Sequence, residues 1–375
     1  MFGLALSAGQ GFSGPIYRVD QVPEHFHEHY ILRGYRQPKS SVSQCLLSLF
    51  DPTNETINIW THFLPTCYFV YVTFQLWAVI DFAGDSYSWA LLCYLFVCCA
   101  FPLASAVAHL FNVVSEQARH VCFFLDYSAL SLFSFGAAVA YRAYSFPSSF
   151  LLSRSPVLVW YCDNYVTIAA FNAVLSTLLT CQTRFLTPSP THKAMRLGAF
   201  AIPYFYDNIP ILYRICLPYV WPGSLSESHS HGQGHAQLQG DQDDPSLSLG
   251  SHNLHARQFM FIGLAAFWYA THFPERLLPG MFDIVGHSHQ LFHVCGILAV
   301  MDQLKAILLD FHHRRNFLEG LLPDQHTTLL PQGHWDAELW GNSVGLLTLV
   351  FWVNAAITVM FSIRLMYPGC KLKAR

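Results

Sequence analysis

The 375-residue chain is 53% apolar and only 11% charged, with a formal net charge of −3. So few charges exclude a soluble globule of this length, while the small net charge decides nothing about partners. The charges gather in short intervals between apolar stretches of roughly 20 residues, the length that crosses a hydrocarbon core. The chain therefore reads as an all-α polytopic membrane bundle, because an open sheet edge finds no hydrogen-bond partners in lipid.

Residues 1–59 form an N-terminal arm. No basic stretch precedes Met1–Ser13 and no cleavage-type site follows it, so the first span is expected to act as the insertion signal. In the arm His25, His27 and His29 alternate and read as a solvated polar stretch. The transmembrane region, 60–366, holds eight spans: Trp60–Ile80, Ser88–Phe111, Val121–Tyr141, Val157–Cys181, Leu197–Trp221, Phe259–Pro274, Val285–Ile307 and Gly341–Leu365. The sixth is the shortest. Spans five and six are joined by a Ser-, His-, Gly- and Gln-rich segment, 222–256, which includes Ser228–His235 and reads as a disordered loop ahead of a weak metal site. A tail, 367–375, follows the last span. The 11 cysteines form no CxxC pair, and Cys67, Cys93, Cys122 and Cys295 lie singly within spans, which argues against a disulfide framework. There is no internal repeat, P-loop or dinucleotide fingerprint.

Lys and Arg set the orientation. With a cytosolic N-terminus, 13 of them fall in cytosolic segments and 6 on the other side, with Arg214 inside a span. The positive-inside rule thus places both termini in the cytosol. Asn54-Glu55-Thr56, a glycosylation sequon by spelling, would then never meet the lumen.

Polar side chains inside spans are costly and usually have a task. Span two ends in Ser105-Ala106-Val107-Ala108-His109, whose four-residue spacing puts Ser105 and His109 on one face. Span three opens with Phe123-Phe124-Leu125-Asp126-Tyr127, and span seven with His287-Ser288-His289-Gln290-Leu291-Phe292-His293. In the assigned orientation His109, Asp126, His289 and His293 share one layer near the cytosolic face. Three neutral imidazoles with an open fourth position are the ligand set of a catalytic-type zinc site. Asp126 would hold a water or a ligand imidazole there, and Ser105 would support it. Without metal, the same groups would serve as interhelical hydrogen-bonding residues. Matched depth on three helices favours zinc.

Three blocks together resemble the progestin and adipoQ receptor family: Glu55-Thr56-Ile57-Asn58-Ile59-Trp60-Thr61-His62, then Ser105…His109…Asp126, then Ser288-His289-Gln290-Leu291-Phe292-His293. The likeness runs from about Tyr35 to Leu365. Within the family the chain is similar to the membrane progestin receptor branch, through Phe205-Tyr206-Asp207-Asn208-Ile209-Pro210 with Arg214, His272-Phe273-Pro274-Glu275-Arg276, and an eighth span that adiponectin receptors lack. The resemblance implies a seven-helix adiponectin-receptor-like core plus an eighth C-terminal helix. It also implies Zn2+ on His109, His289 and His293, with Ser105 and Asp126 as the supporting or, in a hydrolase, catalytic pair. Steroid binding at the plasma membrane and signalling to a heterotrimeric G protein or cytosolic kinases are further implied. So is kinship to zinc-dependent ceramidases.

Pro203 and Pro210 should kink span five. Asp207 and Arg214, two turns apart, read as the only intramembrane charges outside the zinc layer. They are expected to neutralise each other or neighbouring polar groups; in the sharper reading Asp207 and Arg214 are ligand-binding residues, with Arg214 donating to a steroid ketone. The aromatic, largely uncharged interior of spans one to five suits a rigid apolar molecule such as a progestin. Two functions compete: a membrane progestin receptor, and a zinc-dependent hydrolase of a membrane lipid amide such as ceramide. A scaffold with structural zinc would need a fourth side-chain ligand, for which Asp126 is the one candidate.

Overall fold

The computed structural model describes residues 10–151, 153–186, 189–220, 249–320 and 341–367. The arm carries two short antiparallel pairings and one helix, α1 (Val42–Leu47), whose Ser41 cap accepts from the Gln44 amide at 3.3 Å. The bundle follows as α2 (Thr56–Trp77), α3 (Trp89–Phe111), α4 (Glu116–Ala140, extended by a π turn over Tyr141–Ser145) and a short α5 (Ser148–Leu151). Next come α6 (Pro156–Thr183), α7 (Pro190–Asp207), α8 (Ile209–Val220), α9 (Leu249–Thr271), α10 (Ser288–Gly320) and α11 (Leu346–Met366).

Neighbouring helices close a ring, α2–α3–α4–α6–α7/α8–α9–α10 and back to α2, and α11 packs against α4 and α6. The chain is thus a polytopic all-α membrane bundle of seven helical positions plus an eighth. Among the described residues, five helices are long and apolar enough to cross a membrane by themselves: Ser86–Phe111, Glu116–Ser145, Pro156–Thr183, Ser288–Asn316 and Gly341–Met366. The other three positions are more polar or interrupted. α2 carries Asn58, Thr61, His62 and Thr66, α9 carries Ser251, His255, Arg257 and Gln258, and the fifth position is broken between α7 and α8. Outside the ring, Tyr71, Phe74, Trp77, Trp160, Phe171 and Trp352 are exposed, as a hydrocarbon solvent permits.

Three expectations change. The sixth span is not short: α9 begins at Leu249, inside the segment read as loop, and Ser251 and His255 are buried. A composition rich in Ser and His conceals that turn, because its polar groups face partners in the protein. The run Ser228–His235 and the tail beyond 367 lie outside the described residues. The seventh span continues beyond Ile307 to Gly320 and carries the buried acids Asp302 and Asp310, so Asp207 and Arg214 are not the only intramembrane charges.

Inside the ring, Phe69, Leu91, Tyr94, Phe135, Tyr165 and Phe311 anchor one continuous core. The α3–α4 crossing is its tightest point. A Cβ on Gly136 would lie 2.5 Å from Val97 Cγ2, so only glycine lets these backbones approach. Gly136→Val is expected to cost about 1–3 kcal/mol through overpacking, read as a lower thermal midpoint of the purified protein. An unchanged midpoint would show that the helices can separate freely.

Candidate metal centre

Three helix ends converge at one end of the bundle. α3 brings Ser105 and His109 on its last two turns, α10 brings His289 and His293 on its first two, and α2 opens with Asn58, Thr61 and His62. Two of these ends, those of α3 and α10, are fixed by capping. Arg36, from the arm, donates to the carbonyls of His109 and Leu110, both at 2.7 Å, and to Asn112 Oδ1 at 2.8 Å, satisfying orphan acceptors at the α3 C-terminus. At the start of α10 the Ser288 amide donates to Glu275 Oε2 at 2.7 Å, and its hydroxyl donates to Glu275 Oε1.

The ligand nitrogens of His109, His289 and His293 all lie within 4.8 Å of one another. The Nε2 atoms of His109 and His289 are 3.2 Å apart. Two nitrogens on one tetrahedral zinc, at the usual bond length, are separated by about 3.3 Å. The outer nitrogens explain why the inner ones carry lone pairs. His109 Nδ1 is 2.7 Å from Glu55 Oε2, an acceptor only when ionised. The Arg36 guanidinium and the Asn58 amide favour the ionised form of this carboxylate. Asn58 and Asn112 complete its shell at 2.9 and 2.7 Å. Thr61 gives its hydroxyl proton to the Asn58 carbonyl at 2.8 Å, so it accepts from His293 Nδ1 at 3.1 Å. Both imidazoles thus carry their proton on Nδ1 and offer Nε2 as an acceptor. Acceptors facing one another across a buried space fit a cation, so this donor set suits a divalent metal.

Asp126, on the third turn of α4, lies near enough to Ser105 and His109 to interact with both. Of the residues singled out from sequence, the structure brings His109, His289 and His293 together, with Ser105 one turn before His109 on α3 and Asp126 on the adjoining α4. Sequence reading assigned no role to Glu55, Asn58, Thr61, Asn112 or Arg36. The usable signal was the 3–4-residue spacing of Glu55, Asn58 and His62 entering span one at the same depth. His62 stacks on His293, with centroids 4.0 Å apart and planes at 14°, and so fixes that ring.

The second polar pair sits elsewhere. Arg214 and Asp310 form a buried bidentate pair at 2.7 and 3.2 Å, with Ser145, Ser251 and His255 also on the carboxylate. Asp310 lies seventeen residues beyond His293 on one helix, about 25 Å away at 1.5 Å per residue. Arg214 is therefore neutralised by a neighbouring acid and not by Asp207. Asp207 instead accepts from the Ser134 hydroxyl at 2.5 Å.

Comparison with known proteins agrees with this arrangement. A sequence model of the family described as "Haemolysin-III related" matches residues 50–228 and 246–304. The chain is 45% identical over 305 residues to "Membrane progestin receptor gamma" of Mus musculus, covering 81% of this chain and 83% of that one. It is 38% identical over 371 residues to "Membrane progestin receptor gamma-B" of Danio rerio, covering 94% and 95%. To "Membrane progestin receptor delta" of Homo sapiens it is 44% identical over 303 residues, covering 80% of each. With matches of this extent and the three-histidine layer in place, the chain belongs to the haemolysin-III related progestin and adipoQ receptor family, on its membrane progestin receptor branch.

Proposed function

We propose that the protein is a membrane receptor for a progestin-type steroid, with an intramembrane zinc ion on His109, His289 and His293. The observation that carries the steroid reading is 44–45% identity, over four fifths of the chain, to relatives named membrane progestin receptors. The aromatic interior supports it, because a rigid apolar molecule gains by burial where a charged one loses hydration without partners. Zinc is supported by the two Nδ1–H contacts that turn Nε2 of His109 and His293 inward. The receptor works at the plasma membrane and signals through a heterotrimeric G protein, as the resemblance implies.

A second reading, hydrolysis of a membrane lipid amide, is favoured by one observation: Ser105 and Asp126 flank the three imidazoles. Bound there, zinc supplies Lewis acidity toward a carbonyl oxygen and lowers the pKa of water. Asp126 is the chain's own acceptor for a proton from that water, and Ser105 orients the carboxylate. Glu55 and Thr61 keep the two imidazoles in the ligating tautomer.

Radiolabelled progesterone should bind saturably to membranes carrying the wild type, and binding should survive His289→Ala while any lipid-amide hydrolysis is abolished. Apolar contacts dominate steroid affinity, whereas the metal is needed for chemistry. Absence of saturable binding by well-expressed wild type would sink the receptor and leave the hydrolase as the leading reading.

Both termini are cytosolic in this proposal, on the 13-to-6 distribution of Lys and Arg. Epitope tags at Met1 and Arg375 should be reached by antibody only after permeabilisation. Staining of intact cells at either tag would invert the bundle and move the metal layer to the outer side.

A further inference from the structure

We infer that the break in the fifth span is a binding site for a small monovalent cation, of which sodium is the natural candidate, held by Asp207. The carboxylate is 2% exposed and sits at the end of α7, where the chain turns at Asn208 before α8. Its Oδ2 accepts the Ser134 hydroxyl from α4 at 2.5 Å, and its main-chain carbonyl accepts the Tyr165 hydroxyl from α6 at 2.5 Å. Oδ1 has no partner among the described residues. Asp207 joins none of the ion pairs described, and the one cation nearby in sequence, Arg214, is committed to Asp310.

An ionised carboxylate at this depth without a counter-charge is costly. A proton on Oδ2 shared with the Ser134 hydroxyl would remove the charge, yet it leaves Oδ1 a buried acceptor with no donor among the described residues. Either protonation state requires one more partner. The surroundings define that partner by what they lack. Asn208 Oδ1, on a residue 3% exposed, is also unpartnered. The Tyr206 carbonyl meets Pro210 four residues on, which has no N–H to give. Tyr161, whose ring packs 5.9 Å from that of Tyr206, leaves its hydroxyl oxygen unpartnered as well. Unpartnered buried oxygens on the acid and on the residue that follows it, at a break in the helix, call for positive charge. A single carboxylate sets that charge at one. Oxygen-only ligands suit a hard ion, and interrupted membrane helices with unbonded carbonyls are recurrent cation sites.

The test uses the full-length purified protein in detergent, with sodium chloride exchanged for choline chloride at constant ionic strength. Radioactive sodium should bind the wild type saturably. The thermal midpoint should rise by about 3 °C when sodium reaches tenfold its dissociation constant. Both effects should vanish in Asp207→Asn and weaken in Asn208→Ala. If Asp207→Asn fails to fold, Ser134→Ala keeps the carboxylate, removes its one donor and should shift the sodium midpoint. No difference between sodium and choline in the wild type would mean that a water or a proton completes the site, and would overturn the proposal. So would equal sodium stabilisation in Asp207→Asn.

Discussion

Alanine at any one of His109, His289 and His293 is expected to strip the zinc from the purified protein and to lower its thermal midpoint. The remaining two imidazoles would face each other as uncompensated acceptors in an apolar layer, and a centre built as proposed would lose the ion linking α3 to α10. Glu55→Gln should give a graded result. The amide oxygen can still accept from His109 Nδ1, but without charge, so zinc affinity should fall about 10- to 100-fold while the bundle stays folded. Ser105→Ala should keep the metal. Elemental analysis at controlled free zinc distinguishes these outcomes. Full occupancy in a His289→Ala/His293→Ala double substitution would show that the metal lies elsewhere.

Asp310→Ala is expected to be the most damaging single change at the other end of the bundle. Arg214 and Asp310 are each 1% exposed at their side chains, and the carboxylate also gathers Ser145, Ser251 and His255. Removing the acid strands a guanidinium in a dry interior, which costs about 3–5 kcal/mol. The double replacement Arg214→Met/Asp310→Leu should lose far less, because burying two apolar side chains of similar volume avoids the stranded charge. Thermal midpoints of the two single variants and the double variant make the check, and an undiminished midpoint in Asp310→Ala would refute the pairing. Arg214→Ala should therefore reduce steroid binding through the fold, whereas the double variant should restore it.

How far the sequence reveals such features depends on whether a residue looks out of place in its segment. His109, Asp126, His289 and His293 stand out because imidazoles and an acid interrupt apolar runs at helical spacing and equal depth. Glu55, Thr61 and Asn112 do not, since polar groups at the mouth of a span are ordinary interfacial residues, and only the fold shows them touching the imidazoles. Asp310 escaped for another reason. Apolar runs mark where lipid begins and ends, but α10 continues past that limit to Gly320 among protein neighbours, so an acid read as lying in a connection is in fact buried. Likewise Ser251 and His255 share the composition of a loop, but their partner is an acid on the next helix of the ring, 59 and 55 residues on in sequence and invisible to local pattern. The eight-helix architecture was legible because length and apolarity are properties of single segments. Pairings between segments are not.

Arg36 has a consequence for how the two sides of the interface communicate. It belongs to the arm, outside the hydrocarbon, but its guanidinium grips the very carbonyl of His109, and Asn112 passes the same grip to Glu55. The arm is thus mechanically in series with a ligand of the centre: tension or docking applied to it arrives at the imidazole through three consecutive hydrogen bonds, with no helix having to tilt. With zinc in place as proposed, a partner that pulled the arm away would leave the last turn of α3 uncapped and let its histidine turn aside, giving a handle on that ion from outside the bilayer.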